Sequence, residues 1–285
     1  MMDLEIIKII QLTRNPVLDW VFYILTQLGD QYAFIVLAVV LYWVYDKKYA
    51  HKFAFTYMLS ALINTGIKEI FKRPRPYIAH PDEVLVESHW ETDGYSFPSG
   101  HAQASGVLGY TAYDLSKKLK KPFIWKMGIA LMVVVPLSRV YLGQHYVSDV
   151  LVGVLFSFMI AHFSFKLIDL MKDKEEIYTL IIVPFFMIGL LFVQNHTFFI
   201  SAGAFIGFAV GYFLEKRFVK YDVAQKTIIQ ILKVVIGLLV AILIKEGLKF
   251  VFLDTLWFDF LRYLLIGVWV SYGAPWVFKH VFRRH

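Results

Sequence analysis

His145 and Asp149 stand four residues apart, the spacing that places two side chains on one face of a helix. A carboxylate so placed can accept a hydrogen bond from an imidazole, fix its tautomer and raise its basicity. The pair closes the segment Ser138-Arg139-x5-His145-x3-Asp149, which lies between two long apolar runs. Ionisable groups at such a boundary are costly to desolvate and are functional candidates by default. Two other segments carry compatible chemistry. One is Lys68-x6-Arg75-Pro76; the other, Phe97-Pro98-Ser99-Gly100-His101, opens a further apolar run with a second histidine.

Together these segments supply three cations (Lys68, Arg75, Arg139), two histidines (His101, His145) and one carboxylate (Asp149). Three fixed cations around one point suit a multiply charged oxyanion such as phosphate. Arginine offers it planar bidentate contacts and lysine a point charge. Pro98-Ser99-Gly100 at a helix start adds free backbone N–H groups and the positive end of the helix dipole. Gly100 lets the backbone approach a ligand closely. Each segment alone has an ordinary reading, since basic residues after a span anchor it and Pro-Ser-Gly is a common turn. Their convergence on one side of a membrane argues for phosphate chemistry.

The elements that must position these residues are membrane helices. Of 285 residues, 58% are hydrophobic and 18% charged. Apolar runs of bilayer-crossing length recur along the whole chain, continuous rather than alternating. Because lipid offers the backbone no water, such runs predict an all-α, polytopic transmembrane helical bundle. Residues 1–30 read as an interfacial, amphipathic N-terminal segment without the features of a signal peptide. Residues 31–171 read as the catalytic core and 172–285 as additional C-terminal spans. The expected spans lie near 31–46, 53–71, 99–117, 124–141, 149–171, 177–194, 197–214, 227–246 and 258–279.

Alternating these spans puts the basic loops 47–52, 117–126, 172–174 and 216–226, and the tail 279–284, on one side. By the positive-inside rule that side is the cytoplasm, and it includes the C-terminus. Residues 72–100 and 142–148 fall on the opposite face, where Lys72, Arg73 and Arg75 break the charge bias and read as serving a ligand. The +7 formal charge is thus explained by topology, and no nucleic-acid partner is expected. Cysteine is absent, which excludes disulfides and thiol chemistry. No His/Asp/Glu cluster has metal-site spacing, so no metal or other cofactor is expected.

The remaining features read as structural. Lys233 and Arg262 lie near span ends, where snorkelling to the interface is expected. His51 and His280 fall at cytoplasmic helix ends, His162 within a span, and His285 at the terminus. His80, His89 and His196 are expected to be solvated on the outer side, with His89 able to line a site entrance. The stripe Gly203-x3-Gly207-x3-Gly211 lets another helix approach, favouring internal packing over a homodimer.

The three segments, in this order and with these spacings, resemble the three-part signature of the type 2 phosphatidic acid phosphatase (PAP2) superfamily, over residues 17–171. The resemblance implies a metal-independent phosphohydrolase with a PAP2-like core. His145 would be the nucleophile and His101 the acid and base, with Asp149 orienting His145. Lys68, Arg75 and Arg139, the Ser99 and Gly100 backbone, and Ser138 would bind phosphate. The implied substrate is a lipid phosphate or a polyprenyl pyrophosphate such as undecaprenyl pyrophosphate, met at the extracytoplasmic face of a bacterial plasma membrane. Two alternatives stay open: a lipid phosphotransferase sharing the phosphohistidine, and a lipid transporter or flippase with a PAP2-like core.

Overall fold

The computed structural model describes residues 2–87, 90–92, 94–251 and 255–282. Among them every regular element is a helix, as the continuous apolar runs require. In chain order these are α1 (Met2–Gln11), α2 (Pro16–Thr26), α3 (Gln31–Val40), α4 (Lys47–Phe71), α5 (Pro76–Ala79), α6 (Gly100–Leu119) and α7 (Pro122–Tyr141). They continue as α8 (Val147–Leu170), α9 (Glu175–Phe192), α10 (His196–Leu214), α11 (Thr227–Val251), α12 (Leu256–Val268) and α13 (Ala274–Val281). Short π-helical turns extend α3, α10 and α12.

Among the described residues five helices are long and apolar enough to cross a bilayer: α7, α8, α9, α10 with its π-turn, and α11. The chain is therefore a multi-pass membrane protein. Pro16–Gly29 and Gln31–Tyr45 reach that length and apolarity only together, bent by 46° as a broken span or re-entrant loop. Residues 17–28, expected as a separate short apolar piece, form α2 and the turn after it, set off from α3 by that bend. Helices α4 (25 residues) and α6 (20 residues) have spanning length but are more polar than these. They carry Lys68 and His101. The expected span at 258–279 is divided into α12, a π-turn and α13.

The chain forms two compact units, Met1–Ile35 with Leu59–Ser164, and Val36–Met58 with Phe165–His285. This partition differs from the expected one at 1–30, 31–171 and 172–285. In the first unit, protein covers part of the apolar face of α1. Ile7 is fully buried against Val84, Ala102, Val140, Tyr146 and Val150. The Gln11 amide donates to the Leu85 and Tyr141 carbonyls (2.8 and 3.2 Å) and accepts from the Leu85 N–H (2.9 Å). Small residues seat α6 on α8. A Cβ on Gly106 would meet Ser157 Oγ at 2.0 Å and the Val154 carbonyl at 2.5 Å. One on Gly153 would meet the Ser99 carbonyl at 2.8 Å, so the start of α8 can lie against the start of α6.

In the second unit the glycine stripe is filled by the chain itself. Cβ atoms on Gly203 and Gly207 would strike the Phe260 and Leu264 carbonyls at 2.3 and 2.1 Å, so α12 packs backbone-close on α10. Lys233 does not snorkel. It is fully buried and donates to the Trp43 and Val223 carbonyls (both 3.2 Å) and to the Tyr221 hydroxyl. Arg262 is paired with buried Asp259, which also meets His196 Nε2 at 2.6 Å, so neither Arg262 nor His196 is simply solvated. His51 is fully buried, 3.0 Å from Thr179 Oγ1 and stacked on Tyr212. Single-helix patterns cannot show that other helices cover these positions.

Candidate active site

The site is assembled from the ends of α4, α6, α7 and α8 and the loops beside them, all in the first unit. Pro74 and Pro76 end α4 and start α5, while Ser99 caps α6, its Oγ accepting from the Ala102 N–H. Helix α7 ends just before Gly143, whose φ of +71° turns the chain so that His145 follows directly. A Cβ on Gly143 would lie 2.9 Å from both the Leu85 carbonyl and Val84 Cγ1.

His145 is 2% exposed and its two nitrogens face different chemistry. Nε2 lies 3.1 Å from Arg75 Nη1. Nδ1 lies 3.3 Å from Ser96 Oγ and 3.7 Å from Asp149 Oδ2. The expected direct bond between His145 and Asp149 is therefore too long. Ser96 bridges them instead, its hydroxyl donating to Asp149 Oδ2 at 2.5 Å. Asp149 is fully buried and also accepts from the Tyr146 N–H (2.9 Å) and from Arg73 Nη1 (2.7 Å). These partners assign the proton to Nδ1 and leave the Nε2 lone pair facing the cations.

Three cations act on His145. Burial first, then the charges of Arg75, Arg139 and Lys68, hold the pKa of His145 well below its ordinary 6.5, so the imidazole is neutral at pH 7. Arg75, itself buried, donates to the Gly94 carbonyl (2.9 Å) and the Gln144 carbonyl (3.2 Å). Lys68 donates to the neighbouring Tyr95 carbonyl, so both cations clasp the stretch that delivers Ser96. Arg139 is 4% exposed, with Nη1 3.2 Å from Thr26 Oγ1. Its buried Nε lacks a hydrogen-bond partner among the described residues. His101 is about a quarter exposed, with Nε2 3.9 Å from Asp30 Oδ2, an ion-pair distance rather than a hydrogen bond.

Two expected phosphate donors are already engaged. The Ser138 hydroxyl donates to the Val135 carbonyl of its own helix at 2.6 Å. The Ser99 N–H is taken by the Asp149 main-chain carbonyl at 3.1 Å. Gly100 opens α6 with nothing within 4 Å of where a Cβ would stand, room for a ligand at the helix start. His80 is beside Glu83 at 3.7 Å and is half-exposed. His89, Asp93 and His285 lie outside the described residues. Among the described residues no group of His, Asp and Glu is arranged to hold a metal ion.

Sequence reasoning missed Ser96, Asp3 and Asp30, and read Arg73 as a charge out of place that serves a ligand, whereas its guanidinium bonds Asp149 and Asp3. Arg73 was recoverable from that anomaly. Ser96, buried two residues before Pro98, carries no charge or period that could have marked it.

A family model described as the PAP2 superfamily matches residues 49–173, and one described as the PAP2 superfamily phosphatase transmembrane extension matches 199–283. Phosphatidylglycerophosphatase B of Bacillus subtilis is 32% identical, over 58% of this chain and 84% of that protein. Sphingosine-1-phosphate phosphatase 1 of Mus musculus is 27% identical over 65% of this chain. The match spans 42% of the mouse protein's own length. Among solved structures, Aquifex aeolicus LpxE superposes with a TM-score of 0.52 at 26% identity, over 58% of this chain and 96% of that one.

Proposed function

The chain belongs to the PAP2 superfamily, and from that premise we propose that it is a membrane phosphatase removing phosphate from a lipid phosphate or polyprenyl pyrophosphate. One observation carries the reading: His145 Nε2 faces Arg75 within a field of three cations, while its Nδ1 faces Ser96 and Asp149. A neutral, oriented imidazole beside an anion-binding pocket is what nucleophilic attack on phosphorus requires.

In the first step the Nε2 lone pair forms a bond to phosphorus as the bond to the leaving oxygen breaks. His101 gives that oxygen a proton. The positive charge left on His145 is balanced by Asp149 through Ser96. Arg75, Arg139 and Lys68, with the N–H groups at the start of α6, neutralise the charge on the phosphoryl oxygens. In the second step His101 takes a proton from water, the hydroxide attacks phosphorus, and the N–P bond breaks. Inorganic phosphate leaves and both histidines return to their starting states.

The site faces the extracytoplasmic side in this reading, where a substrate phosphate sits at headgroup level and its tail in the bilayer. The relatives are named for phosphatidylglycerophosphate and sphingosine 1-phosphate, which share a phosphomonoester on a lipid. Purified protein in detergent should release inorganic phosphate from one or more of a panel of lipid phosphates and pyrophosphates in EDTA. His145→Ala should reduce release to background. Full activity in that variant, or none in the wild type on any lipid, overturns the proposal.

A further inference from the structure

Asp149 is fully buried, and a buried carboxylate is held only as well as its partners hold it. One of those partners is not a specified position of any of the three motifs. Arg73 directs Nη1 to Asp149 Oδ1 and to Ser148 Oγ, both at 2.7 Å, and its guanidinium lies 3.9 Å over the Tyr146 ring. Its own carbonyl accepts from the Ser96 N–H at 2.8 Å. One residue thus grips both groups that face His145 Nδ1. Arg73 is gripped in turn from the chain's first helix. Asp3 of α1 accepts from Arg73 Nη2 at 3.2 Å, from Ser148 Oγ at 2.5 Å and from the Ser148 N–H at 3.3 Å.

We propose that Arg73 and Asp3 are positioning residues: Arg73 fixes Asp149 and Ser96 behind the nucleophile, and Asp3 fixes Arg73, so that α1 is part of the catalytic apparatus. The proposal rests on the phosphatase reading. An exposed ion pair between Arg73 and Asp3 would contribute little alone. Here the far end of the chain of contacts is a carboxylate with no exposure, where losing one partner leaves charge uncompensated. Burial opposes ionisation of Asp3, yet hydrogen bonds from Ser148 and Arg73 outweigh it and hold its pKa below the ordinary 3.8, so the contact persists across the neutral range. Buried Ile7 and the Gln11 bonds seat α1 firmly enough to act as an anchor.

The test is a double-variant cycle on kcat and KM for a lipid phosphate in detergent, with melting temperatures measured alongside. Arg73→Ala should lower kcat about 100-fold, the scale of a roughly 1 Å misplacement. Asp3→Ala should lower it about tenfold, as loss of an outer supporting partner does. KM should stay within about threefold in both, since neither touches phosphate. Asp3→Glu should restore most of the loss. In the Arg73→Ala background Asp3→Ala should have no further effect on kcat, because Asp3 acts through Arg73. If Arg73→Ala does not fold, Arg73→Lys takes its place in the cycle, keeping the charge while losing the fork. Additive losses, or a lowered melting temperature with unchanged kcat, would overturn the proposal. A wild type inactive on every lipid phosphate would instead overturn the phosphatase reading beneath it.

Discussion

At the scale of single residues, catalysis in this account turns on how the two nitrogens of His145 are divided. Ser96 is the hinge of that division, since the carboxylate is 3.7 Å from Nδ1 and the serine hydroxyl spans the gap. Ser96→Ala should cut kcat about 10–100-fold, as loss of a partner behind a working histidine does, with KM nearly unchanged. A variant with wild-type kcat would show that Asp149 reaches His145 without it. The low pKa of His145 has a second consequence. The nucleophile must be neutral, so activity is present above its pKa and lost as pH falls through it. That pKa is held well below 6.5 by burial and then by Arg75, Arg139 and Lys68, so kcat/KM should show no acid limb assignable to His145 at or above pH 6.5. A limb there that moves with the charge of Arg75 would contradict the electrostatics.

The motif residues were legible because charge, imidazole and proline at fixed spacings are rare between apolar runs. Ser96 and Asp3 were not, for different reasons. Ser96 is one serine in a polar loop, and Asp3 meets Ser148 across 145 residues, beyond the reach of any local pattern.

At the scale of elements, the site depends on how closely α6 and α8 approach. Gly106 has a carbonyl and a serine within 2.5 Å of its absent Cβ, whereas Gly66, in α4, has nothing within 4 Å. Gly106→Ala should therefore push α8 away, destabilise by about 1–3 kcal/mol and depress kcat together. Gly66→Ala should leave activity intact and stabilise by about 0.4–1 kcal/mol through the unfolded chain. Thermal melts with kcat values check both; equal behaviour of the two variants would refute the packing argument. The glycine stripe of α10 was legible for the same reason that Lys233 was not. Small residues every fourth position announce a close neighbour. A lone lysine in an apolar helix does not announce that Trp43, Tyr221 and Val223 will satisfy it.

At the scale of the whole molecule, the hydropathy pattern yielded the all-helical, multi-pass architecture. It placed a break near Gly29-Asp30, where α2 and α3 meet at a 46° bend, but it did not show the π-turn that joins α12 to α13, because such turns leave no hydropathy trace. The proposed sidedness is open to direct test because the chain has no cysteine. A cysteine replacing Asp82 should react with a membrane-impermeant maleimide in intact cells, and one replacing Lys120 only after permeabilisation. The reverse pattern would place the site on the cytoplasmic face.

The central claim is that His145 carries the phosphoryl group in mid-reaction. Rapid quenching of turnover at alkaline pH, where phosphohistidine survives, followed by mass spectrometry of the peptides tests it most directly. The account predicts a phosphorylated peptide with the modification on His145, absent from the His145→Ala protein. Modification of another residue, or steady turnover with no phosphorylated enzyme at any quench time, would contradict it.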